Sequence, residues 1–555
     1  MPRLVDMDVL IVDAQTTGAS PAFGVVLELG WGVARASRAE MVGAEARWIQ
    51  LPAGRNVPWQ VAKLTGYDPA VARAEAIEDH EAWQRLRAAT AFAAEMPTAI
   101  HYARFELAFL REWAARFAPE RPFPLDAVCV HAIARRLYPD LPRRSLRALA
   151  GFLGGGVDLT RRSLGHVQGT AFVWGRLCEA LAARGIVEWA QLKDWLAQPA
   201  AGAASPESPP SPSRSRRRRR YPIAAAQYRS LPDQPGVYRF LRANGDLLYV
   251  GKAASLRKRV ASHFAGRPSR ELSVEMLTQV SDIRADVAAS ALEAALLENE
   301  TIKALRPPYN VALVAPDPRV WFSDAAFASA TQAPDESHGI GPLPSEFSLA
   351  ALRAQIALLS GCPPTVAAAR AAAVGTSALW TPDEAVFAAG WATFLARHAA
   401  ALSASDGPAR ARLLRLAAEL LASRAFEKAA EPESEAPETR DWDPERVARH
   451  LERAAAQAYL TYRRSRWLRL LFDSDVVYRE PGDARARRLR FRAGQLIDAA
   501  NAGDDSVAST AESPEPAPAR FDRATYDRLR ILTTELRRLM RDGGQVWMRP
   551  RRSPS

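Results

Sequence analysis

Apolar and polar positions along residues 1–196 follow an order that predicts strands and helices in turn. A first apolar run at 9–12 ends on Asp13, and the run GVVLELGWGVAR after it is typical of a neighbouring strand. Helical spacing follows at 58–64 and 80–95, and TAIHYARFELAFLREWAARF is typical of a short strand that leads into a long amphipathic helix. This order predicts an α/β domain.

A β-hairpin is predicted within residues 235–264. The apolar and aromatic runs GVYRFL and LLYVGK are separated by Arg-Ala-Asn-Gly-Asp, and Asn-Gly at 244–245 predicts a tight two-residue turn with positive φ at both positions. In that register Tyr238 faces Gly251, whose missing side chain leaves open space in front of the phenol. Tyr249 then lies on the same face as a diagonal neighbour of Tyr238.

Two helices are predicted after the hairpin. In ASLRKRVASHF, Arg259 and His263 share one face at i, i+4 spacing. In ASALEAALLENETIKAL, Glu298 falls in an otherwise apolar stripe, where a carboxylate is costly unless it is paired or bound to a metal. We expect its neighbours Glu293 and Glu300 to be solvated. The apolar members of the stripe are Ala291, Ala295, Ile302 and Leu305.

These side chains predict a site for a phosphodiester. The phenols of Tyr238 and Tyr249 converge with Lys252, Arg259 and His263 beside an open stretch of backbone. Cations and hydrogen-bond donors of this kind suit a phosphate group.

The remainder of the chain, residues 319–555, is predicted to be mainly helical. Ala-rich helical patterns run through 382–402 and 408–430. The segments SDVVYRE and ARRLRFRAGQLID are typical of a pair of strands, and a final amphipathic helix precedes a basic tail. Arginines near Trp467 suit either a grip on nucleic acid or the solvent face of a helix.

Three segments lack hydrophobic periodicity and predict linkers. They are Pro/Ser/Ala-rich at 197–221, acidic at 431–440 and Pro/Ala/Ser-rich at 501–520. The first ends in five consecutive arginines, which suit a salt-sensitive arm on DNA or a solvated solubility feature.

Composition favours a polyanionic partner. The 555-residue chain has a net charge of +12 and a pI near 9.9. Its three cysteines are far apart and form no CxxC pattern, which favours a reducing cytoplasm and no cysteine-based zinc site. We see no signal peptide and no apolar run long enough to cross a bilayer, so we expect a cytoplasmic, nucleoid-associated protein without a membrane partner.

Residues 222–318 resemble a GIY-YIG nuclease domain, in particular that of the bacterial UvrC and Cho excinucleases. Gly-Val-Tyr at 236–238 matches the first signature of the family, and Tyr-Val-Gly at 249–251 matches the second. The further matching positions, in the family's order, are Lys252, Arg259, His263, Glu298 and Asn310.

This resemblance implies a hydrolytic site for DNA phosphodiesters. It implies one divalent ion, magnesium or manganese, at Glu298, where the ion acts as a Lewis acid. Tyr238 is the candidate for activating the attacking water, and Arg259 for stabilising charge on the phosphoryl oxygens. Lys252 is placed to assist Tyr238 or to bind phosphate. The residues implied to orient the site are Tyr249 and Asn310.

Residues 1–196 resemble the DEDDh exonucleases of the DNA polymerase III epsilon-subunit type, which implies an RNase H-like fold. The first motif stands as Asp-Ala-Gln-Thr-Thr-Gly, so that Asp13 is retained and Gln15 replaces the acidic residue. Glu106 stands where the second motif usually has Asp, and Arg161 and His166 stand where the third has His and Asp.

The degenerate motifs leave three interpretations of the chain. Two-metal hydrolysis needs clustered carboxylates and a general base, and Gln15 and Arg161 supply neither. The favoured interpretation is a fold kept for DNA or partner binding beside an active nuclease. The alternative is a bifunctional protein that retains 3′→5′ exonuclease activity, and the third is a DNA-binding scaffold with both sites inactive.

The expected protein is a multidomain α/β enzyme, a metal-dependent DNA endonuclease that makes a single-strand incision in nucleotide excision repair. The RNase H-like second catalytic half of UvrC has no recognisable counterpart here, which favours one cut. The implied partners are DNA and damage-recognition or loading proteins. The expected regions are 1–196 exonuclease-like, 197–221 linker, 222–318 nuclease, 319–430 helical, 431–440 linker and 441–555 α+β with the internal linker 501–520.

Overall fold

The structure is a computed structural model. It describes residues 2–38, 40–90, 95–155, 161–199, 221–265, 271–310, 319–325, 329–344, 352–353, 356, 383–403, 409–422, 442–501 and 521–550. Two compact units divide the chain, Met1–Ala291 with Pro307–Asn310 and Leu292–Arg306 with Val311–Ser555. Within the described residues, no helix combines the length and the apolar character needed to cross a bilayer.

The first unit begins with a mixed five-stranded sheet. Its strands are β1 (Val9–Thr16), β2 (Val26–Ala34), β3 (Val42–Trp48), β4 (Met96–Ile100) and β5 (Leu125–Cys129). They lie in the order β3-β2-β1-β4-β5, with β2 antiparallel and β4 parallel to both of their neighbours. The alternation of strands and helices confirms the predicted α/β domain.

Helices accompany this sheet along the chain. They are α1 (Trp59–Thr65), α2 (Pro69–Glu75), α3 (Asp79–Ala89), α4 (Ala103–Phe117), α5 (Val130–Leu137), α6 (Leu146–Phe152), α7 (Ser163–Ala182) and α8 (Trp189–Ala197). The helices predicted at 58–64 and 80–95 correspond to α1 and α3, and residues 91–94 lie outside the described residues. Most of the predicted linker at 197–221 also lies outside them.

Strand β1 is central because its apolar run is buried on both faces. Val9 and Ile11 belong to one hydrophobic core, and Leu10 and Val12 belong to a second. A strand covered on both faces carries a continuous apolar run in place of alternation. The run ends at Asp13, which is 8% exposed, so the strand holds this carboxylate at the margin of the core.

A smaller antiparallel sheet completes the first unit. Its elements are α9 (Ala225–Arg229), β6 (Gly236–Leu241), β7 (Leu247–Ala253), α10 (Leu256–Ala265), α11 (Glu271–Thr278) and β8 (Asp282–Val287). Strand β6 lies between β7 and β8, and Tyr238 pairs with Gly251 as predicted. Tyr238 and Phe240 are fully buried in a core with Leu256 and Val260 of α10.

The turn of this hairpin is of another type than predicted. Gly245 has a φ of 88°, whereas Asn244 is not among the described residues with positive φ. The Gly245 N–H donates to the Arg242 carbonyl (3.0 Å), and the Arg242 N–H donates to the Asp246 carbonyl (2.9 Å). This is a three-residue turn with a glycine bulge, and a register shift beside Leu241 restores the predicted pairing beyond it.

The second unit is built around a helix of 29 residues. This helix approaches its neighbour closely at Gly390, where a Cβ would lie 2.4 Å from the Cβ of Val447. The helices of the unit are α12 (Ala291–Leu305, in this unit from Leu292), α13 (Glu384–Arg397), α14 (Ala399–Ser403), α15 (Ala409–Ala422), the long α16 (Pro444–Phe472) and α17 (Arg523–Arg541). The first strands are β9 (Trp321–Ser323), β10 (Ala330–Thr331) and β11 (Ile340–Leu343), in the order β10-β9-β11.

A four-stranded antiparallel sheet follows α16. Its strands are β12 (Ser474–Arg479), β13 (Arg487–Arg492), β14 (Gln495–Asn501) and β15 (Gln545–Pro550), in the order β14-β13-β12-β15. The second predicted strand is divided because Ala493 and Gly494 have φ values of 47° and 71° and reverse the chain. Strand β15 was predicted as a basic tail. The predicted linkers at 431–440 and, beyond residue 501, 501–520 lie outside the described residues.

Candidate active site

The hydroxyl of Tyr238 and the ring of His263 form the centre of the candidate site. Tyr238 is fully buried on β6, and its Oη lies 2.7 Å from Nε2 of His263 on α10. Tyr249 on β7 completes a cluster of three rings, with its centroid 6.1 Å from that of Tyr238 and 6.4 Å from that of His263. The structure therefore brings together both predicted phenols and the predicted histidine.

Gly251 provides the space that the Tyr238 phenol fills. A Cβ at this position would lie 2.5 Å from both Cζ and Oη of Tyr238 and 2.7 Å from Cε1 of Tyr249. The sequence led us to expect open space in front of Tyr238, and this expectation is wrong because the phenol itself occupies it. The glycine allows both rings to lie against the backbone of β7.

The charge state of His263 is set by its surroundings. Burial, together with the positive charge of Arg259, lowers the pKa of His263 to about 4. The imidazole is therefore neutral at physiological pH and has one acceptor nitrogen, which the Tyr238 hydroxyl can engage through Nε2.

Protein stability should fall in mild acid partly because of His263. The pKa of His263 lies below its ordinary value of 6.5, so the unfolded chain takes up the proton first. The contribution is complete above pH 6.5, is lost as the pH falls through about 4, and amounts to about 3 kcal/mol. We expect His263→Gln to flatten the free energy of unfolding across this window, measured by urea titration at each pH.

The control for this prediction is His80→Gln, since His80 is exposed on α3. It should follow the wild-type dependence on pH. A His263→Gln protein that loses stability with the same slope as the wild type would contradict the assigned shift in pKa.

Asn310 holds the outer edge of the hairpin. Its side chain is 8% exposed, accepts from the Val250 N–H (2.9 Å) and donates to the Val250 carbonyl (2.8 Å). Among the described strands of this sheet, β7 lies at one edge, and backbone groups that face away from β6 need partners when they are buried. The Asn310 side-chain amide bonds both backbone groups of Val250, as a neighbouring strand would, and fixes the backbone between Tyr249 and Gly251.

The two predicted cations lie on different elements, β7 and α10. Lys252 follows Gly251 on β7 and is half-buried, whereas Arg259 is exposed on α10. Arg259 lies one turn before His263 and is close enough to lower the pKa of that ring. Its exposure leaves the guanidinium accessible to a phosphate.

Glu298 lies on α12 and is half-buried. The predicted apolar stripe around it is only partly correct: Ala295 and Ile302 are buried, but Leu305 is 56% exposed. The buried face of the helix instead includes Asn299, which is 0% exposed. The sequence did not reveal this buried amide, because the predicted apolar stripe passed through Glu298, the residue before Asn299.

Glu293 is not solvated as predicted. Its carboxylate accepts from the Tyr478 hydroxyl on β12 (3.0 Å) and pairs with Arg487 on β13 (3.6 Å). These contacts leave the Glu293 side chain only 22% exposed. Glu300 conforms to the prediction: its side chain is 46% exposed and pairs with Arg528 (3.2 Å). Long-range partners of this kind cannot be read from helical spacing.

Three of the predicted exonuclease-like residues lie close together. His166 Nδ1 lies 3.3 Å from Oδ1 of Asp13, and the Ala14 N–H donates to Glu106 (3.0 Å). Burial and the negative charge of Asp13 raise the pKa of Glu106 well above its ordinary value. Burial by itself lowers the pKa of His166, but its hydrogen bond with Asp13 and that carboxylate's charge raise the pKa overall.

The other two residues of these motifs have contacts of another kind. The Gln15 amide donates to the Arg161 carbonyl, and the Arg161 side chain is exposed. Beside Gln15 on the sheet, the fully buried Glu28 accepts from Arg162 (2.6 Å) and from the Ser163 N–H (2.9 Å). Across the described ranges, we find no group of three or more histidine, cysteine or acidic side chains placed to hold a metal.

Residues 234–311 match the family model of the UvrC-like GIY-YIG domain. This segment is a UvrC-like GIY-YIG domain. The match includes the hairpin, α10 and Asn310, the elements that bring the two phenols and His263 together.

Relatives extend the similarity to the exonuclease-like region. A protein of Mycobacterium tuberculosis, named as a bifunctional exonuclease/endonuclease, is 30% identical over 391 residues, or 68% of this chain and 57% of that protein. The UvrABC system protein C of Alkalilimnicola ehrlichii is 54% identical over 86 residues, or 15% of this chain and 14% of that protein. The chain thus spans less than two thirds of the length of either relative.

Two kinds of solved structure also match this chain. The GIY-YIG N-terminal endonuclease domain of UvrC from Thermotoga maritima, bound to magnesium as its catalytic cation, is 32% identical. It covers 16% of this chain and 93% of that one, with a TM-score of 0.15. Escherichia coli Exonuclease I in complex with a dA16 oligonucleotide is 16% identical and covers 42% of this chain and 48% of that one, with a TM-score of 0.28.

A polar cluster that the sequence did not reveal joins the GIY-YIG domain to the exonuclease-like domain. Glu275 of α11 accepts from the hydroxyls of Ser145 (2.7 Å) and Tyr309 (2.8 Å). The Arg147 guanidinium lies 4.4 Å from the centre of the Tyr309 ring. Burial and the charge of Glu275 raise the pKa of Tyr309, which keeps the phenol protonated as a donor.

Gln279, the residue directly after α11, extends this cluster towards the turn of the hairpin. Its amide donates to the Tyr309 hydroxyl (2.7 Å) and accepts from the buried Arg242 (3.1 Å). In the exonuclease-like domain, a Cβ at Gly151 of α6 would lie 2.5 Å from the Gln279 amide carbon. The glycine therefore allows the Gln279 side chain to pack against α6. The residues belong to separate predicted domains, and helical spacing alone could not pair them.

Proposed function

We propose that the protein is a metal-dependent DNA endonuclease that makes a single-strand incision in nucleotide excision repair. The observation that carries the proposal is the buried Tyr238–His263 pair, packed against Gly251 in a UvrC-like GIY-YIG domain. A buried phenol that meets a neutral imidazole is arranged to pass a proton.

Tyr238 activates the attacking water. As the water oxygen bonds to phosphorus and the bond between phosphorus and the leaving 3′-oxygen breaks, the water proton passes to the Tyr238 oxygen and the phenol proton moves to Nε2 of His263. The leaving 3′-oxygen takes up a proton from solvent, and His263 later returns its proton to solvent. The hydrogen bond of 2.7 Å between these two groups is within the range for such a transfer. Tyr249 and Asn310 orient the hairpin, since Asn310 fixes the peptide between Tyr249 and Gly251.

Glu298 holds one divalent ion, magnesium or manganese. A single carboxylate suits this role because magnesium prefers oxygen ligands and keeps several waters besides one or two carboxylates and substrate phosphate. The half-burial of Glu298 fits a carboxylate that binds an ion from one side. When bound, the ion supplies Lewis-acid stabilisation to the phosphate and to the leaving 3′-oxygen.

The cations complete the phosphate site. Arg259 is exposed one turn before His263 and stabilises the charge that develops on the phosphoryl oxygens. Lys252, next to Gly251, binds phosphate or assists Tyr238.

The exonuclease-like domain acts as a platform for DNA or for a partner. Gln15 uses its amide to hold the Arg161 backbone, and a neutral amide cannot bridge two metal ions. The alternative, a bifunctional protein that retains 3′→5′ trimming, is favoured by the retained Asp13 beside His166 and Glu106 and by the name of the mycobacterial relative. An inactive scaffold is opposed by the paired Tyr238 and His263.

Damage-recognition or loading proteins are the proposed partners, and the cytoplasm, in association with the nucleoid, is the proposed location. The UvrABC system proteins that match the GIY-YIG domain support a repair role.

The proposed function is tested on a lesion-bearing duplex labelled at either end, with magnesium and with or without helicase-type loading proteins. We expect the wild type and Asp13→Ala to nick one strand, and Glu298→Ala to lose nicking. Glu300→Ala is the matched control, since that exposed carboxylate lies on the same helix. Nicking that survives Glu298→Ala would contradict the endonuclease proposal, and end-trimming that disappears in Asp13→Ala would select the bifunctional alternative.

A further inference from the structure

One face of the four-stranded sheet in the second unit carries arginines and an exposed tryptophan. The opposite face is apolar, with Val476, Tyr478 and Leu489 fully buried. Successive residues of a strand point to opposite faces of the sheet. The residues that alternate with these buried ones therefore have their side chains on the outer face. We call this outer face the basic sheet face, and its basic and aromatic members are Arg479, Arg488, Arg490, Arg492, Trp547 and Arg549.

The basic sheet face carries an excess of positive charge. Two aspartates share it, and Asp475 pairs with Arg492 (3.1 Å) and Arg490 (3.7 Å). Asp498 lies 4.0 Å from Arg490. The five arginines therefore exceed the acidic residues of this face by three charges. Such an excess of positive charge suits a polyanion.

Trp547 lies on the edge strand β15 of this face. Its side chain is 46% exposed, and the Arg479 guanidinium lies 5.7 Å from its ring. The register fixes this orientation, since a one-residue slip would place Trp547 in the core and turn Met548 outward. Across the sheet, Val477 pairs with both Trp547 and Arg488, so an aromatic plane and a cation lie in one row.

We infer that the basic sheet face binds single-stranded nucleic acid, with a base stacked on Trp547 and phosphates held by Arg488 and Arg549. A single strand can offer base faces to an aromatic side chain, whereas a duplex keeps them within the stack. An acidic peptide would use the arginines but would leave Trp547 without a function. The inference rests on the sheet alone and not on the nuclease chemistry, although a surface for an opened strand would suit a nicking enzyme.

The test uses the full chain with Glu298→Ala in every protein, so that cleavage does not interfere. Anisotropy of a labelled oligothymidylate of about 15 nucleotides gives the affinity. We expect Trp547→Leu to weaken binding about five- to hundredfold, and Trp547→Phe, which keeps an aromatic plane, to stay within about threefold. Arg549→Ala should lower the slope of log affinity against log salt by about 0.7.

The matched control is Arg538→Ala, because Arg538 is 62% exposed on α17, the helix that packs on the apolar face. It should leave affinity and salt slope unchanged. Photocross-linking of an oligonucleotide with 5-iodouracil, followed by mass spectrometry, should place an adduct within residues 545–550.

Equal affinities of the Trp547→Leu and Trp547→Phe proteins, or cross-links that all lie outside β12–β15, would overturn the inference. So would a preference for duplex over single strand that depends on Arg549. None of these results bears on nicking, and loss of nicking in Glu298→Ala would not by itself support the basic sheet face.

Discussion

Gly251→Ala is expected to lower the rate of strand cleavage by about a hundredfold or more, since a displacement of about 1 Å is sufficient for that loss. The added carbon would lie 2.5 Å from the Tyr238 hydroxyl and 2.7 Å from Cε1 of Tyr249. Tyr238 is fully buried and cannot retreat without separating from His263. Single-turnover nicking of a labelled duplex measures the effect.

The control for this substitution is Gly175→Ala on α7, where the nearest atom to an added Cβ is 3.8 Å away. This change should keep activity and, through helix propensity, raise stability slightly. Gly251→Ala should cost about 1–3 kcal/mol in the free energy of unfolding, as overpacked sites do. Full activity in a folded Gly251→Ala protein would contradict the placement of the two phenols.

Tyr238→Phe is expected to reduce single-turnover cleavage by about 10²- to 10⁴-fold, the usual contribution of a general acid–base group. The substitution keeps the ring that fills the core and removes only the hydroxyl that lies 2.7 Å from His263 Nε2. Binding of DNA should therefore change little while the chemical step is lost. Rates at saturating enzyme, together with the dissociation constant of the uncleaved complex, separate the two effects.

Two further phenylalanine substitutions provide the comparison. Tyr228→Phe alters a half-buried ring stacked on Phe264 in the same domain and should leave cleavage intact. Tyr249→Phe should cost less than Tyr238→Phe, because Tyr249 orients the site in our proposal. A larger loss in Tyr249→Phe than in Tyr238→Phe would exchange the roles of the two phenols.

The pairing within the hairpin could be predicted from the sequence because strand periodicity is strict. Tyr238 opposite Gly251 follows from the alternation of two short runs. The turn was predicted wrongly, since an Asn-Gly pair fits both a two-residue turn and a bulged three-residue turn, and only Gly245 adopts positive φ. The bulge beside Leu241 compensates for the extra residue, so the error did not reach the site.

Contacts between distant segments could not be predicted. The order of elements in the exonuclease-like domain follows from apolar runs that are buried on two faces, as in β1. By contrast, the environment of Glu293 depends on Tyr478, which is 185 residues away. A single sequence shows the spacing of apolar residues within a helix or strand. It does not show which distant residues pack against that helix or strand.

The C-terminal sheet shows the same distinction. Strand β12 carries a clear apolar alternation and was predicted. Strand β15 alternates Val546 and Met548 with Trp547 and Arg549, and its basic residues concealed the periodicity. Its outward residues Trp547 and Arg549, which made this segment resemble a tail, belong to the basic sheet face.

Two adjacent residues at the end of the GIY-YIG domain contact the neighbouring domain and strand β7 respectively. Tyr309 joins the cluster of Glu275 and Ser145, while Asn310 holds the Val250 peptide. In evolutionary terms, this couples the two domains: a nuclease segment released from its neighbour would lose the Ser145 partner of Glu275 and keep the Tyr309 partner. Mutations on α6 and α11 are therefore expected to constrain each other, although neither helix supplies a residue that we assign to the chemistry.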